Sequence, residues 1–362
     1  MSAFLLLLFA LLLTDPEQSS GDLPGMPPPI DAQDVYAAGR PGNLSPAVRG
    51  FPERVYVPNS GRNTVDVIDP QTFKIVGHFR VGRQPQHVTP SYDLTTLWVL
   101  NDLGDSITRI DPANGHALET VSVKDPYNLY YTPDGRHALV VAERTRRLDF
   151  RDPKSMKLVD SLLVPCRGVD HLDFSADGRY LIASCEFSGD LVKVDVVSRV
   201  VMGTLKLPGH SMPQDVRLAP DGRVFFVADM TANGVHVIDG QTLTVIGFIA
   251  TGKAAHGLYF SRDSHWLYVS NRGEGTVAVI DVRTRTLATK WTIPGGGSPD
   301  MGGVSADGKV LWLSGRYHAE VYAFDTSDGH LVARIPVSKG PHGLCVYPQP
   351  GRYSLGHTGI MR

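Results

Sequence analysis

Three cysteines in 362 residues are too few for a scaffold held together by disulfides, and none sits in a C-x-x-C-H context that would attach haem covalently. No G-x-x-x-x-G-K-[ST] loop and no G-x-S-x-G elbow occurs, which removes P-loop phosphate binding and the common serine-hydrolase arrangement. Charge of neither sign dominates: the formal net charge is -2 and the pI is about 6.7. That excludes a global attraction to nucleic acid or to an anionic membrane, and no nucleic-acid partner is expected. The one basic run, "ERTRR" with Arg144, Arg146 and Arg147, reads as a solvated loop. Long apolar runs are scarce too. Ala3 to Leu13 spans eleven residues, too short for a membrane helix and suited to the core of a secretory signal, although no basic residue precedes it and no clear small-x-small cleavage site follows. We therefore expect export to a secreted, periplasmic or cell-surface location, with no membrane span in the mature chain. Residues 1–20 form the signal-like segment. Residues 21–50, with "GDLPGMPPPI", read as a Pro-rich linker. Beyond residue 50 no stretch holds a helical period.

What the chain has instead is repetition. "VYVPNSGRNTVDVIDPQTFKIVGHFRVG" from Val55, "VFFVADMTANGVHVIDGQTLTVIGFIATG" from Val224 and "WLYVSNRGEGTVAVIDVRTRTLATKWTI" from Trp266 are variants of one phrase. Each unit has a short strand, a turn such as "SADG" or "APDG", a second strand, a polar loop, a third strand ending in "VID" or its like, and a fourth strand. Asp-Gly suits the positive φ of a tight hairpin, and short Val-, Ile- and aromatic-rich strands cut by Gly and Asp are an all-β signal. Residues at the start of the first strand are His87, Asn128, His171, Asp215, His256, Met301 and His342, at spacings of 41, 43, 44, 41, 45 and 41 residues. Four strands in units of this length make a β-propeller blade. The last unit stops after its first strand, and the unit opening at "RVYVPN" lacks one. The two fragments complete a single blade. The fold class expected is all-β: a seven-bladed β-propeller of four-stranded antiparallel blades over residues 51–348, closed by N- and C-terminal strands sharing one blade. Residues 349–362 are expected to leave as a tail from the face opposite the polar loops.

The phrases "VYVPNSGRNTVDVIDPQT" and "LYVSNRGEGTVAVIDVRT" resemble the YVTN family of propeller repeats, of the YncE-like kind, from about Arg54 to Pro348. The resemblance implies the propeller fold. It implies less about function, because the family includes binding proteins, surface-layer proteins and relatives of haem-d1 and amine-oxidising enzymes.

In a propeller the innermost strands line a central channel, and two loop sets share one funnel-shaped face. On that basis the candidate ligand-binding residues are Asn128, Glu143, Glu186, Asp215, Asp229, Arg272, Met301 and Arg316. The candidate metal ligands are His87, His171, His256 and His342, which hold the same place in blades 2, 4, 6 and 1. Imidazole ligands suit a Cu, Fe or Zn ion on the axis. The alternative for these histidines is plain hydrogen bonding to a neighbouring blade. Glu143 and Glu186, on adjacent blades, also make an acid–base pair conceivable. The leading expectation is a monomeric binding module presenting a polar funnel to a protein, glycan or small-molecule ligand. The alternatives are a metal-dependent oxidoreductase using the four histidines and a lactonase-like hydrolase using the funnel carboxylates. Cys166 and Cys185 lie near each other across an antiparallel hairpin and are expected to form a disulfide, with Cys345 left as a buried thiol.

Overall fold

The computed structural model describes residues 21–362, so the signal-like segment lies outside the described residues. Seven four-stranded antiparallel sheets form the blades. Blade 1 holds Arg54–Asn59, Thr64–Asp69 and Lys74–Arg80, and its innermost strand is Cys345–Tyr347. Blades 2 to 7 follow in chain order, with innermost strands Pro85–Pro90, Asn128–Tyr131, Val169–Phe174, Pro213–Leu218, Ala255–Phe260 and Pro299–Val304. The ring closes through the pairs Arg54 with Tyr347, Val55 with Val346 and Tyr56 with Cys345.

Burial explains the strand patterns. The innermost strand of blade 4, Val169–Phe174, is buried throughout, whereas the outermost, Val200–Lys206, alternates between exposed and half-buried. An outer strand packs on one side only, so the period of two survives only there. Seven apolar clusters each fill the gap between two neighbouring blades. Trp98 belongs to the one between blades 2 and 3, and Trp312 to the one between blades 7 and 1. Turn chemistry is equally regular. Ser175 Oγ donates to Asp177, and Asp239 Oδ1 accepts from the N–H groups of Gln241 and Thr242 at 2.9 Å each. These side-chain bonds hold the hairpin turns closed.

In five blades the pairing of the first two strands slips at the start of the innermost strand. The slips leave Gln86, Asp170 and His171, Gln214 and Asp215, His256 and Gly257, and Asp300 and Met301 without cross-strand partners. A bulge re-aims side chains, and these bulges lie where the strands approach the axis.

Two terminal segments differ from the sequence reading. The stretch read as a linker packs on the propeller: Leu23 N–H donates to Asp177 O at 2.7 Å and Val35 N–H to Pro220 O at 2.9 Å. Leu23, Ala37, Ala38 and Val48 are buried, because apolar residues between the prolines match the apolar floor. The C-terminal tail does not leave the molecule. It folds into a hairpin, with Leu355 N–H donating to Ile360 O at 2.7 Å, and enters the channel beside blade 3. There Tyr131 N–H donates to Leu355 O at 2.9 Å and His357 N–H to Leu129 O at 2.7 Å. Gly356 has φ +98, and a Cβ there would meet Leu129 O at 2.4 Å, so only glycine fits this close approach. Arg362 anchors the end with a bond to Phe174 O at 2.9 Å.

Cys166 and Cys185 are joined, with Cα atoms 6.0 Å apart, and Cys345 is a buried free thiol. Non-reducing peptide mapping should recover a Cys166–Cys185 crosslinked pair, and two alkylatable thiols at these positions would contradict it. A chain ending at Gly340 loses both the closing strand and the channel hairpin. It should aggregate through the exposed edge of Arg54–Asn59, and a monomer with unchanged melting temperature would refute the closure.

Candidate functional site: the histidine-lined axis and its acidic mouth

Four of the predicted residues meet at the axis. His87, His171, His256 and His342 are all buried, at no more than 2 % exposure. Ring centroids lie 5.5 Å apart for His87 and His171, 4.8 Å for His87 and His342, and 5.9 Å for His256 and His342. The closeness of His87 to blade 1 depends on Gly343, where an added Cβ would sit 2.1 Å from His87 Cδ2. A fifth ring, His357 from the tail hairpin, lies 5.3 Å from His87 and 4.9 Å from His171. The signal for it was "GHTG", a histidine in a glycine-flanked turn whose Gly356 and Gly359 both take positive φ.

The rings sort into two groups. The ligating atoms of His87, His171 and His357 lie within 4.8 Å of one another, as do those of His256, Asp300 and His342. The four histidines expected to share one cation do not form one such group. In the first group each Nδ1 faces a neighbour: Tyr127 O at 3.0 Å from His87, Asp170 Oδ1 at 2.9 Å from His171, and Asn128 Nδ2 at 3.0 Å from His357. The Asp170 contact is poorly aligned, so both Asp170 oxygens remain without a hydrogen-bond partner. All three Nε2 atoms are likewise buried and unpartnered.

In the second group Asp300 is shared. His256 Nδ1 lies 3.0 Å from one oxygen and His342 Nε2 3.5 Å from the other. Arg272 donates to Asp300 Oδ1 at 3.1 Å, and Arg316 Nη1 lies 4.0 Å from Oδ2. Asp300 was missed because the reading took one residue per blade, and its choice in blade 7 was Met301. Met301 turns away from the axis into the cluster between blades 6 and 7, where Tyr259 Oη donates to its sulfur at 3.1 Å. A bulge places two consecutive residues in different directions, and the polar one takes the side where polar partners wait.

Burial, and then the neighbouring positive charges, hold His256 and His342 well below the usual imidazole range. His87 and His357 are lowered chiefly by burial as well. Burial lowers His171 most strongly, but the carboxylates around it, Asp170 first and then Asp215 and Glu186, together outweigh burial and leave that ring raised. Asp215 is buried and raised by that burial. It accepts from Leu258 N–H at 2.9 Å and lies 3.8 Å from His357 Nε2. Asp229 serves its own loop, with Oδ1 accepting from Met212, Thr231 and Ala232 N–H groups and Oδ2 facing His236 at 3.2 Å.

Above the axis Glu143, Asp170 and Glu186 place carboxylate oxygens within 4.8 Å of one another. Burial first, then Asp170 and Glu186, push Glu143 up to about 9. Glu186 rises to about 7, through burial and then Asp170, with Gln214 opposing. Three close carboxylates cannot all ionise cheaply.

These features define a seven-bladed propeller whose axis is lined by buried histidines and plugged on one side by its own C-terminal hairpin. The chain belongs to the YncE-like beta-propeller family, whose model matches residues 40–351. It is 23% identical over 272 residues to the uncharacterized protein YncE of Salmonella typhimurium, covering 68% of this chain and 73% of that protein. Among solved structures it is similar to Kuenenia stuttgartiensis hydrazine synthase, with TM-score 0.65 and 20% identity over 75% of this chain and 92% of that one. It is also similar to the dihydro-heme d1 dehydrogenase NirN, with TM-score 0.63 and 19% identity over 90% of this chain and 79% of that one. These structural likenesses show the fold alone.

A carboxyl with raised folded pKa stabilises the fold fully below its unfolded value, 4.5 for Glu143, and that contribution is lost as pH rises toward about 9. Glu143→Gln should therefore match the wild type near pH ~4.5 and exceed its melting temperature near pH ~9. Parallel melting curves across that range would contradict the placement of Glu143.

Proposed function

We propose that the chain is an exported binding module whose funnel takes a small, positively charged organic ligand, such as an amine. The observation that carries this reading is the Glu143–Asp170–Glu186 cluster, three carboxylates drawn together with raised proton affinity at Glu143 and Glu186. A bound cation relieves the repulsion that otherwise keeps protons on the cluster. Aromatic surface at the mouth supports an amine in particular. Phe187 and Tyr317, next in sequence to Glu186 and Arg316, are 56% and 69% exposed, and aromatic faces attract organic cations. Arg272 and Arg316 stand near Asp300, and suit a polar or acidic tail on the same ligand. Export is supported by the Cys166–Cys185 disulfide, which an oxidising compartment favours.

The test is calorimetric titration with ethanolamine, putrescine and spermidine. At least one should bind with proton release, and the Glu143→Gln, Glu186→Gln double variant should weaken it about a hundredfold, roughly 1.4 kcal/mol for each charge removed. Equal binding by wild type and variant, or none by either, would refute the reading. A lactonase-like hydrolase is the other use of the same carboxylates, and lactone turnover lost in Glu143→Gln would favour it.

A further inference from the structure

Beyond the funnel, we propose that His87, His171 and His357 form a transition-metal site of the copper or zinc class, completed by the C-terminal hairpin. Three separate parts of the chain converge here: the innermost strands of blades 2 and 4, and the turn of the tail. All three side chains are fully buried, and all three Nε2 atoms lack a hydrogen-bond partner. An imidazole whose Nδ1 is held by a carbonyl or carboxylate, with Nε2 left free, has the arrangement of a metal ligand. His87 on Tyr127 O has it as it stands, and a small rotation of the His171 ring aligns its Nδ1, 2.9 Å from Asp170 Oδ1, to give the same arrangement. For His357 the contact runs the other way: Asn128 Nδ2 faces Nδ1 at 3.0 Å while Asn128 Oδ1 accepts from Leu129 N–H at 2.9 Å, so ligation through Nε2 requires the Asn128 amide to give up this pair.

The distances are within reach. One ring nitrogen, Nδ1 or Nε2, from each of the three histidines lies within 4.8 Å of the other two, and a tetrahedral ion with bonds of about 2.0–2.1 Å needs nitrogens roughly 3.3 Å apart. Rotamer adjustment of about 1 Å per ring closes the gap. Two backbone features hold the rings in place. His357 itself takes φ +54, a left-handed conformation uncommon outside glycine and typical of constrained sites. Gly343 leaves room for the His87 ring that no other residue would.

Charge decides between the two groups on the axis. The three-histidine group has Asp170 and Asp215 beside it, with one guanidinium, Arg217, 3.6 Å from Asp215. The His256–Asp300–His342 group faces Arg272 and Arg316, which already balance Asp300 and repel a second cation. One ion is therefore expected. An all-imidazole set favours Cu, Zn, Fe or Ni over Mg or Ca.

The untagged full-length protein is stripped with a chelator and titrated with Zn(II), Co(II) and Cu(II), with bound metal counted by mass spectrometry. One equivalent of at least one of these ions should remain after gel filtration. His357→Gln, which keeps the hairpin packed, and His171→Ala should each weaken binding at least about a hundredfold. Gly343→Ala should weaken it without removing any imidazole. His256→Ala and His330→Ala, the latter at the exposed Asp325–Asp328–His330 cluster, should stay within about threefold of the wild type. The Glu143→Gln, Glu186→Gln double variant should also keep its one equivalent, which separates this site from the amine site in the funnel. Wild-type protein that retains none of the three metals overturns the proposal. So does His357→Gln binding like the wild type, or His256→Ala losing the metal as His171→Ala does.

Discussion

Three residue pairs, Arg54–Tyr347, Val55–Val346 and Tyr56–Cys345, make the rest of the structure possible. They turn an open row of blades into a ring, leave no blade interface unfilled, and bring the starts of seven innermost strands to one axis. They also fix where the chain goes next. After Tyr347 the chain runs past the N-terminal segment, where Gly351 pairs with Leu44, and then turns its Leu355–Ile360 hairpin into the channel against Tyr130. Ring closure and the assembly of the axial site are therefore one event in the fold.

The axis is expensive. His87, His171, His256, His342 and His357 together leave six ring nitrogens buried without hydrogen-bond partners. Each buried polar group left without a partner costs about 1–3 kcal/mol. The seven apolar clusters between blades offset this cost, but they do not explain why the polar groups are there. Something must meet those nitrogens, either enclosed water or a bound ion. The balance of neighbours, two carboxylates to one guanidinium beside the first group and one carboxylate to two guanidiniums beside the second, favours a cation on the blade 2, blade 4 and tail side.

The blades were legible because a hairpin blade writes itself into local sequence: turn residues at fixed offsets, apolar strands between them, and a steady spacing. The positions of His87, His171, His256 and His342 at the axis followed from the same spacing. Asp170 and Asp300 did not, because a bulge breaks the one-residue-per-blade rule, and the sequence carries no mark of which neighbour turns inward. Met301 was misplaced for that reason. His357 was hidden differently. A short Gly-rich terminus looks the same in sequence whether it dangles or docks, and only the shape of the channel it fills decides between the two. The Pro-rich stretch before residue 50 misled in the same way. Its composition suggested a spacer, while Leu23, Ala37, Ala38 and Val48 had an apolar floor to cover.

The most direct test of the axial site is anomalous X-ray scattering from crystals of the full-length protein soaked in Zn(II) or Co(II), recorded on both sides of the metal edge. The account predicts one strong peak on the propeller axis, about 2.0–2.3 Å from Nε2 of His87, His171 and His357. No peak there, with ordered water on those three nitrogens instead, or a peak between His256 and His342, would contradict it.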